Sequence, residues 1–389
     1  MIAIMITIKN KADCSGCFAC AAICPKKCVQ SCQDEEGFAY PLVDESECIR
    51  CGMCIGLCDN PVVGRKTHEI VSYSATAKSD DVRLASSSGG IFSIISKYIF
   101  YKHGVVYGAA MDENATVEHV RVTDEAGLTK LRRSKYVQSR MGDIYNLVED
   151  DLKNERWVLF SGSPCHIGGL KNFLSARGQS DEFLLCLDLI CNGVPPQNAF
   201  RKYLNDLGFI GNVDEVNFRD KTNGWQNFSM RIRQGNRTYI RNFRRDSYGM
   251  AVLADIMQRP SCYCCKYTHL NYASDLTLAD FWGIDKVVPT INADLGVSLV
   301  LTHSAKGEQA INASKPFMEL VQVQVEDAVR GNSKVVDGHM APHVNRNVFL
   351  AQLHEKNFQH LAVKYIKGGY IRWLLGFVKR RASRIIRRV

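Results

Sequence analysis

Five cysteines stand within the sixteen residues DCSGCFACAAICPKKC (13–28). Four of them, Cys14, Cys17, Cys20 and Cys24, follow the spacing C-x2-C-x2-C-x3-C. The spacing returns at Cys48, Cys51, Cys54 and Cys58, each displaced by 34 residues from its counterpart. Disulfides could staple so thiol-dense a segment, and zinc could bind it, but zinc sites use paired C-x2-C units rather than triplets. Three cysteines two residues apart wrap three corners of one iron–sulfur cubane, and the fourth, where the chain leaves the loop, reaches the other cubane. That rule assigns Cys14, Cys17, Cys20 and Cys58 to one [4Fe–4S] centre, and Cys48, Cys51, Cys54 and Cys24 to a second.

The double motif resembles the domains of bacterial two-cluster ferredoxins, over roughly residues 1–65. Between its halves, EEGFAYPLVDESE reads as a hairpin, with Gly37 in the turn, Phe38 and Tyr40 on a strand and Pro41 at an edge. Pro25 follows Cys24, whereas Asp59 and Asn60 separate Cys58 from Pro61, a departure from that pattern. Cys28 and Cys32 lie outside it and read as buried fillers or free thiols.

The opening MIAIMITI is apolar but lacks a basic lead and a small-residue cleavage site, so a first strand is expected rather than a signal peptide. No apolar run approaches the length of a spanning helix. A cytoplasmic setting follows, where thiolate–metal sites are ordinary and disulfides are not. The net charge of +9 is local: residues 356–389 carry ten Lys and Arg and no acid, leaving 39 basic and 40 acidic side chains elsewhere. A nucleic-acid-binding body therefore has no electrostatic support. Within the tail, Ile371, Leu374, Leu375, Val378, Ala382, Ile385, Ile386 and Val389 recur at helical spacing opposite Arg and Lys, the make-up of an amphipathic basic helix. Peripheral contact with an anionic membrane at its inner face, a docking helix for a partner and a frayed end all remain open.

After the cysteine-rich head, a Ser/Lys/Asp-rich linker is expected over 66–81. Residues 86–90 form a Ser/Gly loop opening a helix, a place for either a phosphate or a simple cap. GVVYGAAM reads as a buried strand, 158–160 as another, followed by a tight loop at Cys165 and a helix; DEFLLCLDLICNGVPP supplies a third strand, with Cys186 in the core. Alternating strands and helices argue for an α/β domain with cofactor loops at strand ends. No G-x-G-x-x-G is present, so a nicotinamide site of that kind is not supported. Trp225 and Trp282 read as buried packing or as a stacking surface for a cofactor. A Cys165–His166 nucleophile pair is disfavoured, because sequence neighbours diverge at a helix start.

The stretches SSSGGIF (86–92), SKYVQS (134–139), FSGSPCHIGGLKNFL (160–174), DLICNGVPP (188–196), FRDKTNGW (218–225), RPSCYCC (259–265) and DLTLADFWGI (275–284) resemble the beta subunits of coenzyme F420-reducing hydrogenase and F420-linked dehydrogenases. Their bacterial relatives and the plant 7-hydroxymethyl chlorophyll a reductase share the resemblance, which spans about 73–307. It implies a flavoprotein with FAD and a third [4Fe–4S] cluster. Ser87, Ser88, Gly89, Gly90, Ser134, Lys135, Tyr136, Gly162, Ser163 and Pro164 carry over as flavin contacts. Cys191, Cys262 and Cys265 carry over as cluster ligands, with Cys165 chosen as the fourth and Cys264 as its rival. Asn192 stands where the family usually has His, and Ala279 where it usually has Gly.

The expected fold is α+β: a ferredoxin-like domain (1–65), the linker (66–81), an α/β flavin and iron–sulfur domain (82–345) and a basic helical tail (346–389). The expected function is electron transfer from the N-terminal clusters through the third to FAD and an organic substrate. A sugar or lipid-linked sugar is one candidate, because some relatives sit among polysaccharide-assembly genes; F420 itself is not implied. The expected partner is a redox protein such as ferredoxin, and the alternative is a non-catalytic electron-transfer subunit.

Overall fold

The computed structural model describes residues 5–59, 69–268, 270, 273–332, 336 and 340–367. Its centre is an eight-stranded mixed sheet in the order Met318–Val323, Val71–Ala77, Ser298–Thr302, Leu276–Asp280, Leu184–Leu189, Val158–Ser161, Val105–Met111, Val117–Val122. Leu276–Asp280, Leu184–Leu189, Val158–Ser161 and Val105–Met111 run parallel to one another, and the remaining pairings are antiparallel. Val71–Ala77, antiparallel to a strand that is itself antiparallel to Leu276–Asp280, shares the direction of the parallel four.

The parallel strands read as unbroken apolar runs because both of their faces are covered. Alternation sorts the side chains. Val106, Leu159, Leu185 and Leu187 meet the helix Ile91–Tyr101 on one face. Val105, Tyr107, Val158, Phe160, Leu184 and Cys186 meet the helices Ile144–Lys153 and Pro164–Ala176 on the other. The N-terminal unit joins that second core through Ile6, Ala19, Cys20, Ile23, Val29, Cys54 and Leu57, so the cysteine-rich head is packed directly against the sheet domain.

Within the head, Val29–Gln33 and Ala39–Val43 pair antiparallel, with Gly37 at φ +86° in the connecting turn, as the hairpin reading expects. A separate three-stranded antiparallel sheet, Glu215–Asp220, Ser229–Gln234 and Arg237–Asn242, packs its apolar side on the helices Gln197–Asp206 and Ser247–Leu253.

Three expectations change. Val71–Ala77, inside the supposed linker, is an interior strand, and Asp80–Leu84 is a helix capped by Ser79. In that strand Ser72, Ser74 and Thr76 share one face of the sheet and are all buried. Polar composition misled there, because small hydroxyl residues suit a strand paired on both sides. The supposed tail also begins inside the body, since Phe349, Leu350, Phe358 and Leu361 are fully packed in the core around the three-stranded sheet. Met5–Ile8 form no strand, and Ile6 is buried against the second core. The amphipathic segment 371–389 and residues 1–4 lie outside the described residues. No helix among the described residues is long and apolar enough to cross a membrane.

Candidate redox site

The cysteine repeat is also a backbone repeat. Gly16 and Phe18 in the first motif, and Arg50 and Gly52 in the second, all have positive φ, at positions again 34 apart. Left-handed residues between the cysteines turn each loop inward, and the helices Ala19–Ala22 and Met53–Asp59 begin at equivalent positions. The helices of the two motifs pack against each other. Cys20 is buried, and burial raises its thiol above the ordinary range, with the fields of Cys17, Cys58, Cys14 and Cys54 adding to it. Cys24, Cys48, Cys51 and Cys54 line one cavity with Pro25, Val43 and Gly52.

Burial pushes the Cys17 thiol up to about 11. Burial also opposes ionisation of Cys24, but the amides of Cys28, Lys26 and Lys27 outweigh it and hold that thiol below its ordinary range. Cys28 lines the same cavity, its Sγ 3.4 Å from Cys24 Sγ, whereas Cys32 is exposed on the hairpin.

A second thiol group forms where the sheet domain meets the head. Cys165 lies in the first turn of Pro164–Ala176, its Sγ 3.2 Å from Ser163 Oγ. Cys191 follows the strand Leu184–Leu189, Cys262 lies within the short helical turn Pro260–Cys264, and Cys265 closes that turn. Burial raises the Cys191 thiol well above its usual value, and the fields of Cys262, Cys165 and Cys265 add to it. Cys262 is pushed up to about 12 by burial, then by Cys165 and Cys265. Cys264 is exposed and directs its thiol at the Ala12 carbonyl, 3.6 Å away. The structure thus gathers Cys165, Cys191, Cys262 and Cys265 and sets Cys264 outward.

Among the described residues no three Cys, His, Asp or Glu side chains close to the spacing of a single bound ion. Thiolates at the corners of a cubane stand farther apart than ligands of one ion, so the chemistry of these donor sets fits iron–sulfur clusters better than zinc.

The carboxyl ends of the parallel strands lie along one edge of the sheet, where open α/β folds bind ligands. Residues 162–165 follow Val158–Ser161, Cys191 follows Leu184–Leu189, and Asp280 ends its strand there. Residues 87–90 reach the same edge: the Gly89 carbonyl accepts from Ala77 N, and Gly89 N donates to Ser298 Oγ. Ser87 Oγ accepts from Ser134 N at 2.8 Å, joining two of the three expected flavin segments.

From Ser134 the chain runs to Ser139, whose hydroxyl is 2.8 Å from His119 Nδ1. His119 Nε2 donates to the Ser161 carbonyl, so Nδ1 accepts from Ser139, and burial holds this imidazole neutral with its pKa down to about 4. Gly162 packs against that ring, and an added Cβ there would stand 3.2 Å from Nε2.

Not every expected flavin contact is free to make one. Lys135 donates to the carbonyls of Lys130, Leu131 and Arg132 and so caps the preceding helix. Ser88 Oγ donates to the Val297 carbonyl, and Tyr136 OH accepts from Arg219. Asn192 is exposed, and Ala279 sits in strand register opposite Leu299.

Sequence reasoning missed Arg219, Asp280, His119 and Arg259. Arg219 binds Asp280 through both guanidinium arms, and Trp225 Nε1 donates to the same carboxylate at 3.0 Å. Trp225 stacks on Trp282 with centroids 5.0 Å apart, so the two indoles pack on each other. Arg219 and Asp280 lie within the stretches FRDKTNGW and DLTLADFWGI, in which only Trp225 and Trp282 stand out as single residues in the sequence.

A cysteine double repeat packed on an α/β sheet, with more cysteines at the carboxyl edge, defines a redox protein. Residues 155–326 match the family described as the C terminus of the coenzyme F420 hydrogenase/dehydrogenase beta subunit. No curated protein matches the chain. A chain of the F420-reducing [NiFe] hydrogenase complex from Methanosarcina barkeri aligns over 77% of this chain and 92% of its own, at 16% identity and a TM-score of 0.45, a likeness too slight to argue from.

Proposed function

We propose that the protein is an iron–sulfur flavoprotein oxidoreductase that moves electrons between its N-terminal cysteine sites and an organic substrate at the carboxyl edge of the sheet. The carrying observation is continuity. The cavity of Cys24, Cys48, Cys51 and Cys54 adjoins the set around Cys20, and Cys17 in that set feels the field of Cys165, which belongs to the next. Clusters supply single-electron transfer and a flavin supplies two-electron chemistry.

Cys14, Cys17, Cys20 and Cys58 would hold one [4Fe–4S] centre. Cys24, Cys48, Cys51 and Cys54 would hold a second, and Cys165, Cys191, Cys262 and Cys265 a third. For FAD, the residues around the Ser87–Ser134 contact and Gly162 lie along one edge and fit a ligand there; Lys135 serves the helix end instead. His119, neutral and locked in one tautomer, fixes the Gly162 loop.

Stopped-flow mixing of anaerobic protein with reduced ferredoxin tests this reading. Bleaching of the cluster absorption, then of flavin absorption, then turnover of a candidate substrate such as a sugar precursor supports it. Reduction confined to the clusters, with no flavin and no turnover, makes the chain an electron-transfer subunit instead.

A further inference from the structure

Arg259 is fully buried, and among the described residues no carboxylate forms an ion pair with it. A buried charge without a counter-charge is costly, so an anion is expected beside it. Its Nε donates to the Cys14 carbonyl at 2.7 Å, and Nη1 donates to Gln138 Oε1 at 3.1 Å. Nη2 reaches the Ala39 carbonyl at 3.0 Å and Cys14 Sγ at 3.6 Å, and the guanidinium carbon lies 4.2 Å from the Tyr40 ring centre.

The backbone of the same residue belongs to the other thiol group: Arg259 N donates to Val194 O, and Arg259 O accepts from Cys262 N. One cation therefore stands between two cysteine sets, touching Cys14 with its guanidinium and Cys262 with its backbone. The cavity of Cys24, Cys48, Cys51 and Cys54 does not include it.

We propose that Arg259 is the shared counter-cation of the centre on Cys14 and the centre on Cys191, and that it sets the reduction potentials of both. The inference rests on the cluster assignment proposed above. Each added electron makes a cluster more negative, so a fixed positive charge and an N–H···S bond favour the reduced form and raise its potential. Arg259 acts through the sulfurs and is a positioning residue.

The test is an EPR-monitored dithionite titration of anaerobic wild type, Arg259→Lys and Arg259→Met, each with iron and sulfide counted. Wild type well short of three cubanes defeats the cluster assignment itself, separately from Arg259. With full iron in all three proteins, Arg259→Met is expected to lower two of the three potentials by at least tenfold in the reduction equilibrium, about 59 mV. Arg259→Lys, which keeps the charge, is expected to shift them less. Retention of iron by the Lys variant but not by the Met variant also supports the proposal. Unmoved potentials in iron-replete Arg259→Met, equal shifts at all three centres, or iron loss from both variants would overturn it.

Discussion

Gly169, on the helix Pro164–Ala176, lies against Cys17: a Cβ at that position would stand 3.0 Å from both the Cβ and the Sγ of the cysteine. In an exposed helix Gly→Ala stabilises by about 1 kcal/mol. Here Gly169→Val is expected to do the reverse and to displace Cys17. The chain should lose the iron of one centre, about four atoms, while its circular dichroism keeps the sheet signal. Full iron in that variant would show that the head can shift without cost.

The contact between Ser87 and Ser134 ties two loops at the sheet edge. Ser87→Ala leaves the Ser134 amide without its acceptor. A lost hydrogen bond of about 1 kcal/mol corresponds to roughly fivefold weaker flavin binding. Flavin fluorescence after dilution measures it, and the iron content should not change.

Arg346 grips Glu36 through both nitrogens, at 2.8 and 2.7 Å, and fastens the helix Arg346–Ala351 to the turn of the N-terminal hairpin. Both side chains are largely buried. Arg346→Ala is expected to destabilise by about 3 kcal/mol. It should also expose the 34–38 turn to protease before the rest of the chain, which limited proteolysis reads.

Asp188 carries a pH signature. Burial pushes its carboxyl up to about 8, against the pull of its hydrogen bond from Thr277. The folded chain keeps a proton that the unfolded chain releases above about pH 4. Stability contributed at this site therefore falls as pH rises from about 4 to 8, by up to about 1.4 kcal/mol per unit, and is level above that. His119 works in the opposite sense, because its folded pKa lies below its unfolded value and stability rises with pH up to about 6.5. The comparison that isolates Asp188 is wild type against Asp188→Asn. The difference between their unfolding midpoints should grow in favour of the variant from pH 5 to pH 8.

The cysteine head was legible because its motif returns after a fixed interval, and that interval survives as a repeat in φ. The parallel strands were legible as apolar runs for the same kind of reason: both faces are buried. What failed was composition. The Ser and Thr of Val71–Ala77 look like a linker but are paired between two strands, and Arg346 belongs to the body although basic residues follow it. Arg259 could not be read at all. Its importance lies in contacts 220 and 245 residues away along the chain, which no local pattern announces.

Iron and acid-labile sulfide per chain, counted in protein purified without oxygen, test the central claim most directly. The expected result is a brown protein with about twelve of each, three cubanes of four. Colourless protein without iron, its head cysteines recovered as disulfides, would contradict it.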